Sequence, residues 1–130
     1  MNRLAIGVPF YGRDIRSGHP ETYADLLPLL EKLHPIPTAE EGEGAENAAS
    51  VRAAVKARDE VDLVGYQYYN GPEMMRRKAA LAVREGVHVM VWELGQDVSP
   101  PSHPAGLLAA LGKGLRNAEE EIEANLKDEL

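Results

Sequence analysis

The chain has no cysteine, one phenylalanine, one tryptophan and no apolar run long enough to span a membrane. Without cysteine there is no disulfide framework and no thiolate metal site, although the compartment stays open. Without a membrane-length run there is no spanning helix to expect. Basic residues are scarce: 14 Lys and Arg face 21 Asp and Glu, and no basic stripe of the kind that tracks a phosphate backbone is present. The short cluster Arg76-Arg77-Lys78 reads as a solvated helix face, so no nucleic-acid partner is expected. His19, His34, His88 and His103 match no ligand spacing, and neither a metal nor a cofactor is expected. There is no internal repeat and no signal-peptide pattern after Met1.

What is there is an apolar fraction of 44% in 130 residues, which suits one modest globular domain. The net charge of −7 is unevenly placed. Residues 119–130 carry Glu119, Glu120, Glu121, Glu123, Asp128 and Glu129 against Lys127, which is five of the seven negative charges. The body is therefore close to balanced, and the expected division is a domain over 1–117 with an acidic helical tail over 118–130. The last four residues, Lys127-Asp128-Glu129-Leu130, match the ER-retention address, which a receptor reads only after entry into the secretory pathway. An ER-lumen location requires an upstream signal peptide. Without one the tetrapeptide is what an acidic helical tail produces by chance, and the chain is not secreted.

The chain is organised around residues 65–97. An aromatic extended stretch, Gly65-Tyr66-Gln67-Tyr68-Tyr69, meets the turn Asn70-Gly71-Pro72-Glu73. Pro72 is placed to open a helix, with Asn70 or Gly71 at its cap, and Gly86 to end it. Met75, Ala79, Ala82 and Val83 give that helix an apolar face. A strand over 87–92 follows, with Val87, Val89 and Val91 facing one way and His88, Met90 and Trp92 the other. Upstream, residues 4–10 form a compact apolar strand with Pro9 at its end, and 14–20 read as a polar loop. A helix is expected over 21–34, kinked or started by Pro28. A surface loop is expected over 38–47, a helix over 48–58 and an extended segment over 61–69. Residues 107–115 and the tail are helical, with Gly112 and Gly114 weakening the middle. Alternating β and α elements argue for a parallel sheet with helical crossovers. Two or three strands cannot close a barrel, which takes roughly 250 residues, so the pattern fits part of a larger α/β domain.

Two motifs carry a resemblance. Leu4-Ala5-Ile6-Gly7-Val8-Pro9-Phe10-Tyr11-Gly12-Arg13 resembles the seventh strand of the family 18 glycoside hydrolases, the chitinase-like barrels, where an aliphatic pair precedes Gly-x-Pro-x-Tyr-Gly-Arg. Tyr69-Asn70-Gly71-Pro72-Glu73 through Val91-Trp92-Glu93-Leu94-Gly95-Gln96-Asp97 resembles that family's last crossover helix and eighth strand. The similarity covers residues 3–13 and 61–115, and the region between looks like a shortened insertion containing a helix. The implied fold class is α/β, the C-terminal part of a (β/α)₈ barrel holding strands 7 and 8 with their helices. The implied substrate contacts are Trp92, flooring a sugar subsite, Tyr11, near the acetamido group, and Arg13, on sugar oxygens. An indole face suits the C–H surface of a sugar independently of any resemblance. Read from the residues alone, Trp92 fits a core position, Arg13 a surface loop, and Tyr66, Tyr68 and Tyr69 the packing of a wall. Glu93, Gln96 and Asp97 match the motif without a chemical role.

The resemblance departs where the reaction is done. Family 18 enzymes carry Asp-x-x-Asp-x-Asp-x-Glu, whose Glu is the general acid, and the substrate's own N-acetyl oxygen is the nucleophile. The nearest stretch here, residues 59–66, has Val64 and Tyr66 where Asp and Glu are required, and the sixth-strand Met-x-Tyr-Asp is absent. No catalytic residue is therefore assigned, and the chain alone is expected to be inactive, because a carboxylic acid must protonate the leaving oxygen. The implied partner is an N-acetylglucosamine oligosaccharide or chitin, as substrate of a β-1,4-specific retaining hydrolase. The alternatives are a non-catalytic, lectin-like carbohydrate binder, or an unrelated α/β protein that self-associates through exposed strand edges.

Overall fold

The computed structural model describes residues 3–35, 45–60 and 63–130. Two sheets share one core. β1 (Ala5–Pro9) and β6 (His88–Trp92) pair in parallel, five residues against five, from Ala5 opposite His88 to Pro9 opposite Trp92. The crossover between them ends in α3 (Pro72–Glu85), and α4 (Leu107–Asp128) follows β6. The parallel pairing expected between the two motif strands is thus present, in a mixed α/β chain that shows no closed barrel among the described residues.

The alternation read along β6 sets the layers. Val89 and Val91 turn toward the core, as do Ile6 and Val8 of β1, while His88, Met90 and Trp92 point away and are exposed. Met75, Ala79 and Ala82 of α3 and Leu107, Ala110 and Leu111 of α4 supply the buried helical layer. The helices touch closely at Gly114. A Cβ there would lie 2.8 Å from Arg76 Cα and 2.9 Å from Ala79 Cβ, so the residue expected to weaken α4 is the one that lets it seat on α3. Parallel sheets are normally covered on both faces. The face bearing Ala5, Gly7, Pro9, His88, Met90 and Trp92 has no covering layer among the described residues.

The second sheet draws on the extended segment expected over 61–69 and on residues around the expected loop 14–20. β2 (Tyr11–Asp14), β3 (Pro20–Thr22), β4 (Leu63–Val64) and β5 (Gln67–Tyr68) form an antiparallel sheet in the order β3-β2-β5-β4. The polar stretch after Asp14 is a turn between two strands, and the single extended segment expected over 61–69 is a hairpin bent at Gly65-Tyr66, with residues 61–62 outside the described residues. Most of the surface loop expected over 38–47 also lies outside them. α1 (Tyr23–Leu33) is capped by Thr22, whose Oγ1 accepts from Asp25 N at 3.1 Å, and contains Pro28 without ending there. α2 (Ala45–Glu60) extends the expected helix at both ends, and α4 runs unbroken through the acidic stretch.

Phe10 joins the sheets. Its ring is fully buried, its N–H donates to Trp92 O at 2.9 Å, and its carbonyl accepts from Tyr23 N at 3.0 Å. The chain leaves the parallel pair and enters the antiparallel sheet through this one residue. The side chains at the end of β1 and the start of β2 are thereby aimed into the space between.

Candidate functional site

That space is a cleft of about 210 Å³ lined by Pro9, Tyr11, Arg13, Tyr68, Tyr69 and Asn70. β1 supplies Pro9 at its C-terminal end, β2 supplies Tyr11 and Arg13, β5 supplies Tyr68, and the β5–α3 connection supplies Tyr69 and Asn70. Tyr11 and Arg13, two residues apart on a strand, share a face, and the Arg13 guanidinium lies 5.4 Å from the centre of the Tyr11 ring. Arg13 also donates from Nη1 to Gly18 O at 2.9 Å, which fixes its reach across the β2–β3 turn. Gly12 between them is buried. A Cβ there would meet Leu26 Cδ1 at 2.7 Å and Tyr68 O at 3.2 Å, so β2 lies against its neighbours only because that position is bare.

The tyrosines divide by partner. Tyr69 is buried, its hydroxyl donates to Arg58 O at 2.9 Å, and its ring stacks on Tyr23 at 6.2 Å. Tyr69 is thus a wall of the cleft with its polar end committed to the core. Tyr68 is half exposed and faces the opening. Tyr66 is exposed outside the cleft, with the Arg16 guanidinium 3.5 Å from its ring centre. Arg16 in turn pairs with Asp14 at 2.9 Å. That side-chain bond, together with the Arg16 N–H donated to the same carboxylate, holds Asp14 well below the usual carboxylate range.

The sequence offers Asn70 and Gly71 as the two candidates for the cap of α3. Gly71, not Asn70, stands at the N-cap of α3. Asn70 is 8% exposed and lines the cleft, and its Oδ1 accepts from Lys78 Nζ at 2.6 Å. Burial pushes the Lys78 ammonium downward from its ordinary pKa, and the amide oxygen is what satisfies it. With its oxygen engaged, Asn70 has its amide N–H₂ as a donor at the cleft. The nearby Gln67 Oε1 is buried with no hydrogen-bond partner among the described residues.

Trp92 does not line this cleft. It sits beside Pro9 in register, 61% exposed, on the uncovered face of the parallel pair. Two of the three expected contact residues are therefore together in one cleft, and the third lies one strand over, its indole open. The motif residues that follow are structural. Glu93 and Gln96 cap a short 3₁₀ turn over Leu94–Gln96. Asp97 caps α4 from a distance, accepting from Leu107 N and Leu108 N at 2.9 Å each, where the N-cap residue Gly106 has no side chain to do so. Nothing in local spacing announces a cap ten residues upstream.

Among the described residues no carboxylate lines the cleft, and no three His, Asp or Glu side chains converge to hold a metal ion. His34 contributes its carbonyl to Arg58, and His103 accepts from Ala105 N through Nδ1. No described helix is long and apolar enough to cross a membrane. The arrangement offers an aromatic floor, one guanidinium and one amide donor, which suits a neutral polyhydroxylated ligand: rings lie on its C–H faces while donors take its oxygens.

Neither a protein-family model nor a curated protein matches the chain. A solved structure is similar to it: a chitinase from Bacteroides thetaiotaomicron, at 19% identity and a TM-score of 0.55 over 85% of this chain. The chain spans 31% of the length of that chitinase. The two motif strands, their parallel register and this likeness agree on one point, a fold like part of a chitinase.

Proposed function

We propose that the chain is a carbohydrate-contacting part of a family 18-type (β/α)₈ barrel: residues 1–117 form strands 7 and 8 with their helices, and 118–130 an acidic helical extension. Its ligand is an N-acetylglucosamine oligosaccharide of the chitin type. The single observation that carries this reading is the convergence of Tyr11, Arg13 and Asn70 in one cleft at the C-terminal end of β1, where barrel enzymes gather their ligand contacts. Trp92 extends the contact surface past Pro9 as an open aromatic platform.

The chain binds and does not cleave. Hydrolysis needs a carboxylic acid beside the leaving oxygen. The cleft holds none, and Tyr11, Arg13 and Asn70 offer hydrogen bonds and a ring face, not an acid with a raised pKa. The role left to these residues is to orient a sugar. The test is calorimetric titration of the full chain with a chitin oligosaccharide, followed by mass analysis of the sugar. Binding is expected, with the oligosaccharide recovered intact. Tyr11→Ala and Trp92→Ala are each expected to weaken it by about three- to tenfold, the worth of one aromatic contact. Absence of binding, or affinity indifferent to both substitutions, sinks the reading. Turnover would refute its non-catalytic half.

A further inference from the structure

A larger cleft, of about 480 Å³, lies between α2, α3 and α4, and none of the residues around the sugar-facing cleft lines it. Val51, Val55 and Pro104 give it an apolar floor. Its rim is cationic: Arg52 and Lys56 come from α2, Arg76 from α3 and Lys113 from α4. The one carboxylate, Glu73, is already engaged with Arg76 at 3.2 Å and Arg77 at 3.6 Å. Among the described residues Arg52, Lys56 and Lys113 have no ion-pair partner. In a chain of net charge −7, four cations around one cleft are a local inversion of sign.

The complement to that cleft is on the same helix. α4 lines the cleft with Lys113 and Asn117 and then turns acidic at Glu119, Glu120, Glu121 and Glu123. All four are exposed and unpaired among the described residues. The apolar stripe that seats α4 on the body ends in register at Ala118, which is buried, and continues as Ile122 and Leu126, which are not. From Glu119 onward every residue is exposed. An acidic, amphipathic helix end therefore projects beside a basic cleft with an apolar floor. Within one molecule Lys113 and Glu121 cannot pair, since they are about 12 Å apart along a single helix axis.

We propose that a second copy of this chain docks here, so that Glu120 and Glu121 of each α4 lie against the cationic cleft of the other. A two-fold axis near Asn117 sets the two α4 helices antiparallel and brings Lys113 of each copy to Glu121 of the other. Every contact is then made twice, as a self-complementary interface requires. Glu120 and Glu121 of each copy then face Arg52 and Lys56 of the other, while Ile122, about 140° around the helix from Asn117, stays outside the contact. This dimer does not depend on the carbohydrate reading, and it differs from association through strand edges in using only helices.

Sedimentation velocity of the full chain tests it. A dimer is expected whose affinity falls by about tenfold or more between about 50 and 500 mM salt, because its rim charges are screened. Two charge reversals give the sharper test: Lys56→Glu with Lys113→Glu in the cleft, and Glu120→Lys with Glu121→Lys on the helix end. Each double variant is expected to be monomeric alone, and an equimolar mixture of the two to dimerise, since the reversed cleft then meets the reversed helix. Recovery in the mixture also shows that both variants fold. Wild-type chain that stays monomeric at low salt overturns the proposal, as do variants that fail to recover on mixing. A dimer indifferent to both reversals but lost in Trp92→Glu places the contact on the uncovered sheet face and overturns it too. A monomer whose cleft binds inorganic phosphate assigns the site to a small anion instead.

Discussion

The two sheets of this chain are held by different forces. In the parallel pair, β1 and β6 match five residues to five and press Ile6, Val8, Val89 and Val91 onto two helices. In the antiparallel sheet no strand exceeds four residues, and alignment depends on particular polar groups. The Arg16–Asp14 pair and the Arg16–Tyr66 stack pin its turns, and the Tyr69 hydroxyl and the buried Arg58 tie it to the helices. Burial is non-directional and tolerates small displacements, whereas a hydrogen bond fixes a position to a few tenths of an ångström. The parallel pair therefore rests chiefly on burial, while the antiparallel sheet adds polar ties to its buried Val64 and positions the residues that line the cleft.

That contrast can be broken from the burial side first. Met75 is fully buried where α3 meets the sheet, so Met75→Ala should cost about 2–5 kcal/mol and lower the unfolding midpoint of the whole chain in urea. A loss confined to the antiparallel sheet would contradict the division of labour. Next comes Tyr69→Phe, which leaves Arg58 O buried without its donor at a cost of about 1–3 kcal/mol. Hydrogen exchange should quicken at Gln67 and Tyr68 while Val89 and Val91 stay protected, and sugar affinity should fall more than stability. Asp97→Ala removes the distant cap of α4 and should cost about 0.5–2 kcal/mol, read as faster exchange at Leu107 and Leu108.

The smallest effect is a pH dependence. The Asp14 carboxyl titrates below its unfolded value, so whatever it contributes is complete above that value, near 3.8, and is lost as the pH falls through the folded one. The Arg16 and Ser17 amide resonances, whose N–H groups Asp14 accepts, should move only in strong acid, with β1 and β6 unchanged. Movement at neutral pH would mean that the turn is held by something else.

The same contrast decided what could be read from the sequence. Val87, Val89 and Val91 alternate with His88, Met90 and Trp92, and Pro72 and Gly86 bracket a helix, so β6 and α3 were legible from period and punctuation. β4 and β5 have two residues each and β3 begins with a proline, which is too little for a period of two to register. Tyr11 and Arg13 were singled out through a motif, and they line one cleft; their contact with a sugar is the proposal. Asn70 and Gly71 both read as candidates for the helix cap, and Gly71 is the one that stands there. The place of Asn70 in the cleft depends on Lys78, one helix turn beyond the reach of any local rule. Asp97 escaped for a similar reason, since a cap supplied across a loop has no fixed spacing.

The open indole has an optical consequence. Trp92 is the sole tryptophan, and it stands on the uncovered face beside Met90, clear of the cleft. Red-edge excitation isolates its emission from the five tyrosines, and exposure should keep that emission long in wavelength and open to quenching by iodide. Whatever settles on this face, a sugar, more strands or another molecule, must shift the emission to the blue and shield the ring. Pairing of helices on the far side must leave both untouched. The molecule thus carries its own dye on the uncovered sheet face, and a single cuvette can report whether that face is covered.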